Sequence, residues 1–172
     1  MLEAAIFVIF PFCMAFAAVS DAVSMTIANR VSLLLVASFA VLAPLTGMAW
    51  DVYAWHWAAL ALVLCVTFTL FAMRAMGGGD AKLLAATALW MGLGQPLAQY
   101  LLVSAVLGGF LTLAILALRG SPLATVVGAH RLAAHFTDPK AGIPYGIALG
   151  AAGLLTIPDA PLMAWAIARL AV

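Results

Sequence analysis

Two aspartates stand where carboxylates are costly. Asp21 closes the first long apolar run, and Asp80 follows Met76-Gly77-Gly78-Gly79 and precedes Ala81-Lys82-Leu83. An ionisable group at the edge of a bilayer core is by default a functional-site hypothesis. Two carboxylates brought into one site hold a single proton between them. One can then activate water while the other protonates a substrate oxygen or a leaving nitrogen. That is the chemistry of aspartic proteolysis, and three consecutive glycines would let a peptide backbone come close to it. Each residue also has a plainer reading. Asp80 can serve only as the N-terminal cap of the helix that follows, a role worth about 0.5–2 kcal/mol. Asp21 can end a helix at the interface near Arg30, and Lys82 can be an interfacial anchor.

The elements that must position these groups are membrane helices. Of the 172 residues, 67% are hydrophobic and 8% charged, against about a quarter charged in a soluble domain. Mean hydropathy is +1.22. The fold class is therefore all-α and integral to the membrane, with room for about six spans of roughly 20 residues each. The apolar runs place them at about 2–20, 31–48, 56–73, 80–93, 97–118 and 143–157 in a single domain. Residues 119–142 form the longest polar connection, and the tail 158–172 is too short to span untilted. It can extend the sixth helix past a kink, lie at the interface, or turn back. Residues 4–19 have the length of a signal-peptide core, but no Lys or Arg precedes them, so the segment reads as a retained helix.

Small residues point to close packing. Ala81, Ala85, Ala88 and Gly92 share one face of the fourth segment, and Gly146 and Gly150 are four apart in the sixth. Trp50, Tyr53, Trp55 and Trp57 read as an interfacial belt. Basic residues set the orientation. With the N-terminus outside, the inner connections carry Arg30, Arg74, Lys82, Arg119, Arg131 and Lys140, while the outer ones carry Glu3 and Asp51. Asp21 and Asp80 then fall at one depth, on the cytoplasmic side.

Composition also excludes classes. A net charge of +1 with no basic stripe gives nucleic acid nothing to bind. Cys13 and Cys65 are isolated in apolar runs, and without a CxxC there is no cysteine-ligated zinc module. His130 and His135 are five apart, off a common helical face, and no third ligand accompanies the two aspartates. No metal and no cofactor is expected.

Three stretches resemble the type IV prepilin peptidases, a family of intramembrane aspartyl proteases, and in particular the short form serving Flp/Tad-type pili. Gly77-Gly78-Gly79-Asp80 fits the family's G-x-G-D motif, and the match runs on through Lys82-Leu83. Asp21 with Thr26-Ile27-Ala28-Asn29-Arg30 is similar to its first aspartate and the loop after it, although Ala28 stands where the family has proline. Ile143-Pro144-Tyr145-Gly146 is similar to the segment opening its last helix. The resemblance implies Asp21 and Asp80 as the catalytic pair and Gly77 and Gly79 as shaping substrate approach. Asn29, Lys82, Pro144 and Tyr145 are implied as supporting residues. It implies prepilin and pilin-like proteins as partners, cut just before their hydrophobic helix on the cytoplasmic face of the bacterial inner membrane. The chain has neither the length nor the cysteines of the methyltransferase region carried by larger relatives. The competing reading is a non-enzymatic membrane subunit for transport or pilus assembly. It wants polar groups through the midplane, where these segments have almost none.

Overall fold

The computed structural model describes residues 1–130 and 133–170. It is all-helical, with no strand among those residues. α1 (Leu2–Ser24), α2 (Asn29–Leu45), α3 (Trp50–Ala72), α4 (Gly78–Met91) and α5 (Gln95–Arg119) follow one another through short turns. The short helices α6 (Leu123–Gly128) and α7 (Ala134–Thr137) lie between α5 and α8 (Tyr145–Thr156). A 3₁₀ turn, Ile157–Asp159, then leads to α9 (Pro161–Leu170). α1, α3 and α5 are long and apolar enough to cross a membrane, which makes the chain a membrane protein. The pair α8 and α9, bent by 53°, counts as a fourth span if taken as one broken crossing. α2 has 17 residues and α4 has 14. At 1.5 Å per residue they rise only about 25 and 21 Å, against a hydrocarbon core of about 30 Å. By length and composition, three or four of the six expected spans qualify as crossings.

Several boundaries differ from the sequence reading, for local reasons. α1 runs past Asp21 to Ser24 before Met25 turns left-handed (φ 54°) and returns its N–H to Asp21 O. Asp21 is thus one turn inside its helix rather than at its end. α3 begins at Trp50, six residues earlier than expected, because the aromatic cluster is itself helical. Trp50, Tyr53 and Trp57 recur at helical spacing, and their rings meet edge to face at centroid distances of 5.7 and 6.0 Å. Tyr53 also stacks on Phe39 of α2 at 5.9 Å. The tail, whose course the apolar pattern left open, packs α9 against α1 and α4. Arg131, one of the basic residues used for orientation, lies outside the described residues.

The centre of the bundle is α4, which packs against α2, α3, α5, α8 and α9. Ala81 and every residue from Leu83 to Met91 are buried. The alanine face permits this crowding, since small side chains let neighbouring backbones approach. Two buried ring N–H groups are tied to main-chain carbonyls, while the fully buried Tyr100 hydroxyl has no hydrogen-bond partner among the described residues. Trp90 Nε1 donates to Leu35 O at 2.9 Å, and His56 Nδ1 donates to Leu89 O at 2.6 Å. Phe10, Phe39 and Trp90 close the aromatic centre, with Phe10–Trp90 at 5.1 Å and Phe39–Trp90 at 5.9 Å. α8 meets α1 through its glycines. A Cβ on Gly150 would stand 2.6 Å from Met14 O and 2.8 Å from Ala18 Cβ, so no larger residue fits without moving the helices apart.

Candidate active site

The two aspartates reach one cavity from different helices. Asp21 projects from the last turns of α1, and Asp80 from the first turn of α4. Both line a cavity of about 1060 Å³ with residues from the end of α3, the C-terminal part of α5 and the start of α8. Phe71, Arg74, Met76 and Gly77 form one wall, and Thr112, Arg119, Gly142 and Tyr145 form the other.

Asp21 is 5% exposed and fixed by a long-range contact. Its Oδ2 accepts the Gly146 backbone N–H at 2.7 Å. Gly146 is in the first turn of α8, so the carboxylate sits at a helix N-terminus, where amide donors and the helix dipole favour an anion. A glycine is needed there. An added Cβ would stand 2.8 Å from Asp21 Oδ2 and 2.7 Å from Ile27 Cδ1. Asp80 lies in the first turn of its own helix, with Gly77 as the N-cap residue. A Cβ on Gly77 would stand 2.9 Å from Asp80 Oδ2. The two carboxylates are therefore each set at a helix start and each packed against a glycine. Two like charges facing one cavity favour a shared proton.

The segment before α8, part of which lines the same cavity, is tied down by Arg119, which closes α5. Its Nε donates to Phe136 O, and its Nη2 donates to Ala141 O and Gly142 O, each at 3.0 Å. Arg74 lines the opposite wall, in a left-handed turn with φ 60°. Tyr145 reaches α5, where Gly108 leaves the room its ring occupies.

The other residues singled out from sequence take different places. Gly77 and Tyr145 line the cavity. Gly79 packs on Ile27 in the loop after α1, with its would-be Cβ 3.2 Å from Ile27 Cβ. Pro144 is buried as the N-cap residue of α8. Asn29 and Lys82 lie outside the cavity and join each other, Lys82 Nζ donating to Asn29 Oδ1 at 3.0 Å. Asp80 and Lys82 are two positions apart, about 200° around the helix, so they face opposite sides of α4. Arg119, Arg74, Gly108 and the Gly146 N–H were not among the site residues read from sequence. In the sequence Arg74 and Arg119 signalled only orientation, and Gly146 signalled helix packing and the stretch that opens the last helix. Among the described residues, no group of three or more His, Cys, Asp or Glu side chains is placed to hold a metal ion.

The fold and cavity define a helical membrane protein with a pair of aspartates brought together from two helices. Compared with protein families, residues 8–117 match the type IV leader peptidase family. The match covers more than half of the chain and both aspartates, and the protein belongs to this family. Comparison with curated proteins and with solved structures gave no match.

Proposed function

We propose that this protein is a leader peptidase that removes the short N-terminal leader of Flp-type prepilins by aspartyl proteolysis at the cytoplasmic membrane face. The observation that carries the reading is the meeting of Asp21 and Asp80 in one cavity of a chain from the type IV leader peptidase family. In the proposed reaction, one carboxylate takes a proton from water as the water oxygen attacks the scissile carbonyl carbon. The other, protonated, gives its proton to the carbonyl oxygen. Collapse of the tetrahedral intermediate breaks the C–N bond, the leaving nitrogen takes up the proton gained from water, and the hydroxyl proton returns to the second carboxylate as the carbonyl re-forms. Asp21 suits the water-activating role, because Gly146 N–H fixes its Oδ2 and leaves Oδ1 for water. Gly77 keeps the wall beside Asp80 low enough for an extended backbone to approach.

The membrane arrangement belongs to the same proposal. The whole chain acts as one peptidase domain of about six membrane segments, with α2 and α4 as short members. The N-terminus faces the periplasm and the cavity the cytoplasm of a bacterial inner membrane. Arg30, Arg74, Lys82, Arg119 and Lys140 then lie on the inner side, as the bias of basic residues favours.

Coexpression with a Flp-type prepilin from the same genome, with leader loss read by mass, tests this directly. Wild type removes the leader, while Asp21→Asn and Asp80→Asn each accumulate in the membrane and remove none. Cleavage that survives in both variants, or an inserted wild type that leaves the prepilin intact, would refute it.

A further inference from the structure

On the side of α4 away from the aspartates, an apolar groove of about 430 Å³ runs between α2, α3 and α4. Its walls include Leu33, Val36 and Trp57, its floor is Ala85 and Ala86, and Asn29 and Lys82 stand at one end. The floor is deep because α4 offers only alanine there. Lys82 is the one exposed residue of a helix that is otherwise buried or half-buried. Among the described residues, no carboxylate lies within ion-pair distance of it. Among the described residues its one side-chain partner is Asn29 Oδ1, which leaves two ammonium hydrogens and the Asn29 amide hydrogens for a further acceptor. From Asn29 to Val36 the groove follows α2 for about 10 Å, roughly two-thirds of a leaflet's hydrocarbon depth.

A cation at the membrane edge, above an apolar slot that descends toward the midplane, is complementary to an anionic phospholipid. We propose that this groove binds one. The headgroup phosphate sits on Lys82 and Asn29, and an acyl chain lies over Ala85 and Ala86. A zwitterionic lipid satisfies the slot equally well but brings no net negative charge to the ammonium. A second copy of this chain would have to bring an acidic residue such as Asp138 to Lys82, and the oligomeric state distinguishes that case. The site rests on the chain lying in a bilayer and is independent of the peptidase reading.

Native mass spectrometry of the full-length protein, released from micelles doped with equal phosphatidylglycerol and phosphatidylcholine, reads occupancy directly. Wild type retains one phosphatidylglycerol in preference to phosphatidylcholine. Lys82→Gln lowers that preference about five-fold, the share of one basic residue near an anionic surface, and Lys82→Arg keeps it. Leu33→Trp, at the exposed lip of the groove, lowers retention of both lipids without touching the headgroup site. Equal retention of the two lipids by wild type overturns the proposal, as does an unchanged preference in Lys82→Gln. A dimer that Leu33→Trp dissolves would assign the groove to a second copy and also overturn it.

Discussion

Gly146→Ala is the smallest change that reaches the proposed chemistry without altering a carboxylate. The new methyl would stand 2.7 Å from Ile27 Cδ1, 2.8 Å from Asp21 Oδ2 and 2.9 Å from Asp21 Cβ. Carbon atoms rest at about 3.5–4.0 Å, so the Ile27 contact alone is about 0.8 Å too short. Ile27 can turn part of the way. Asp21 cannot, because its helix is pinned to α8 by the Gly150–Met14 contact one turn further along. The carboxylate must therefore slide off the Gly146 N–H that it now accepts at 2.7 Å. A hydrogen bond to a charged group contributes about 1.5–3 kcal/mol, and a reacting group misplaced by about 1 Å can cost on the order of 100-fold in rate. Cleavage should fall by roughly 10- to 100-fold. The assay is leader removal per mole of folded protein, with Gly109→Ala as the companion variant. A Cβ on Gly109 meets nothing within 4 Å, so that protein should cleave as wild type does. Cleavage by Gly146→Ala within about a factor of two of wild type, at equal accumulation, would refute the idea that this contact sets Asp21.

Three further expectations rest on other parts of the molecule. Gly77→Ala puts a methyl 2.9 Å from Asp80 Oδ2 and should reduce leader removal while the thermal midpoint in detergent stays near that of wild type. Arg119→Gln removes charged donors from the Phe136, Ala141 and Gly142 carbonyls. Hydrogen exchange should then quicken at residues 136–144, by the equivalent of about 1.5–3 kcal/mol, and Arg119→Lys should not restore protection because an ammonium lacks the planar fork. Trp90→Phe keeps the ring packing but removes the indole donor from Leu35 O, which retains the Ser38 hydroxyl at 3.0 Å. Stability should fall by about 0.5–1.5 kcal/mol, read by thermal unfolding in detergent.

The sequence made the membrane class plain, because 67% hydrophobic residues with 8% charged admit no soluble core. It also marked the aspartates, which are conspicuous against apolar runs. Helix limits were less legible where two signals competed. Trp50 to Trp57 carries the composition of an interface and the spacing of a helix, and the spacing prevailed because the rings stack along one face. α2 and α4 are short for a reason that hydropathy does not register. Pro44 and Gly47 stop α2, and Gly92, with φ 70°, stops α4. Lys82 and Asn29 read as neighbours of the aspartates along the chain, yet the turn of the helix carries them to the other side. Arg119 read only as the basic residue that closes α5. Its grip on the segment before α8 depends on carbonyls 17 to 23 residues away, and no local pattern encodes that.

The shortness of α4 has a consequence for water. Its 14 residues rise about 21 Å, so with one end at a bilayer surface the other stops roughly 9 Å inside the hydrocarbon. Helix ends leave unpaired amides and carbonyls, and lipid tolerates such groups only where protein covers them or a wet cavity bathes them. At the Gly92 end, His56 and the surrounding side chains provide the cover. At the Gly77 end, the turn opens on the cavity of the two aspartates. With Lys82, about one turn on, at the membrane edge, the Gly77 end is the one at the surface, and water in the cavity serves its unpaired amides and any hydrolytic chemistry placed there.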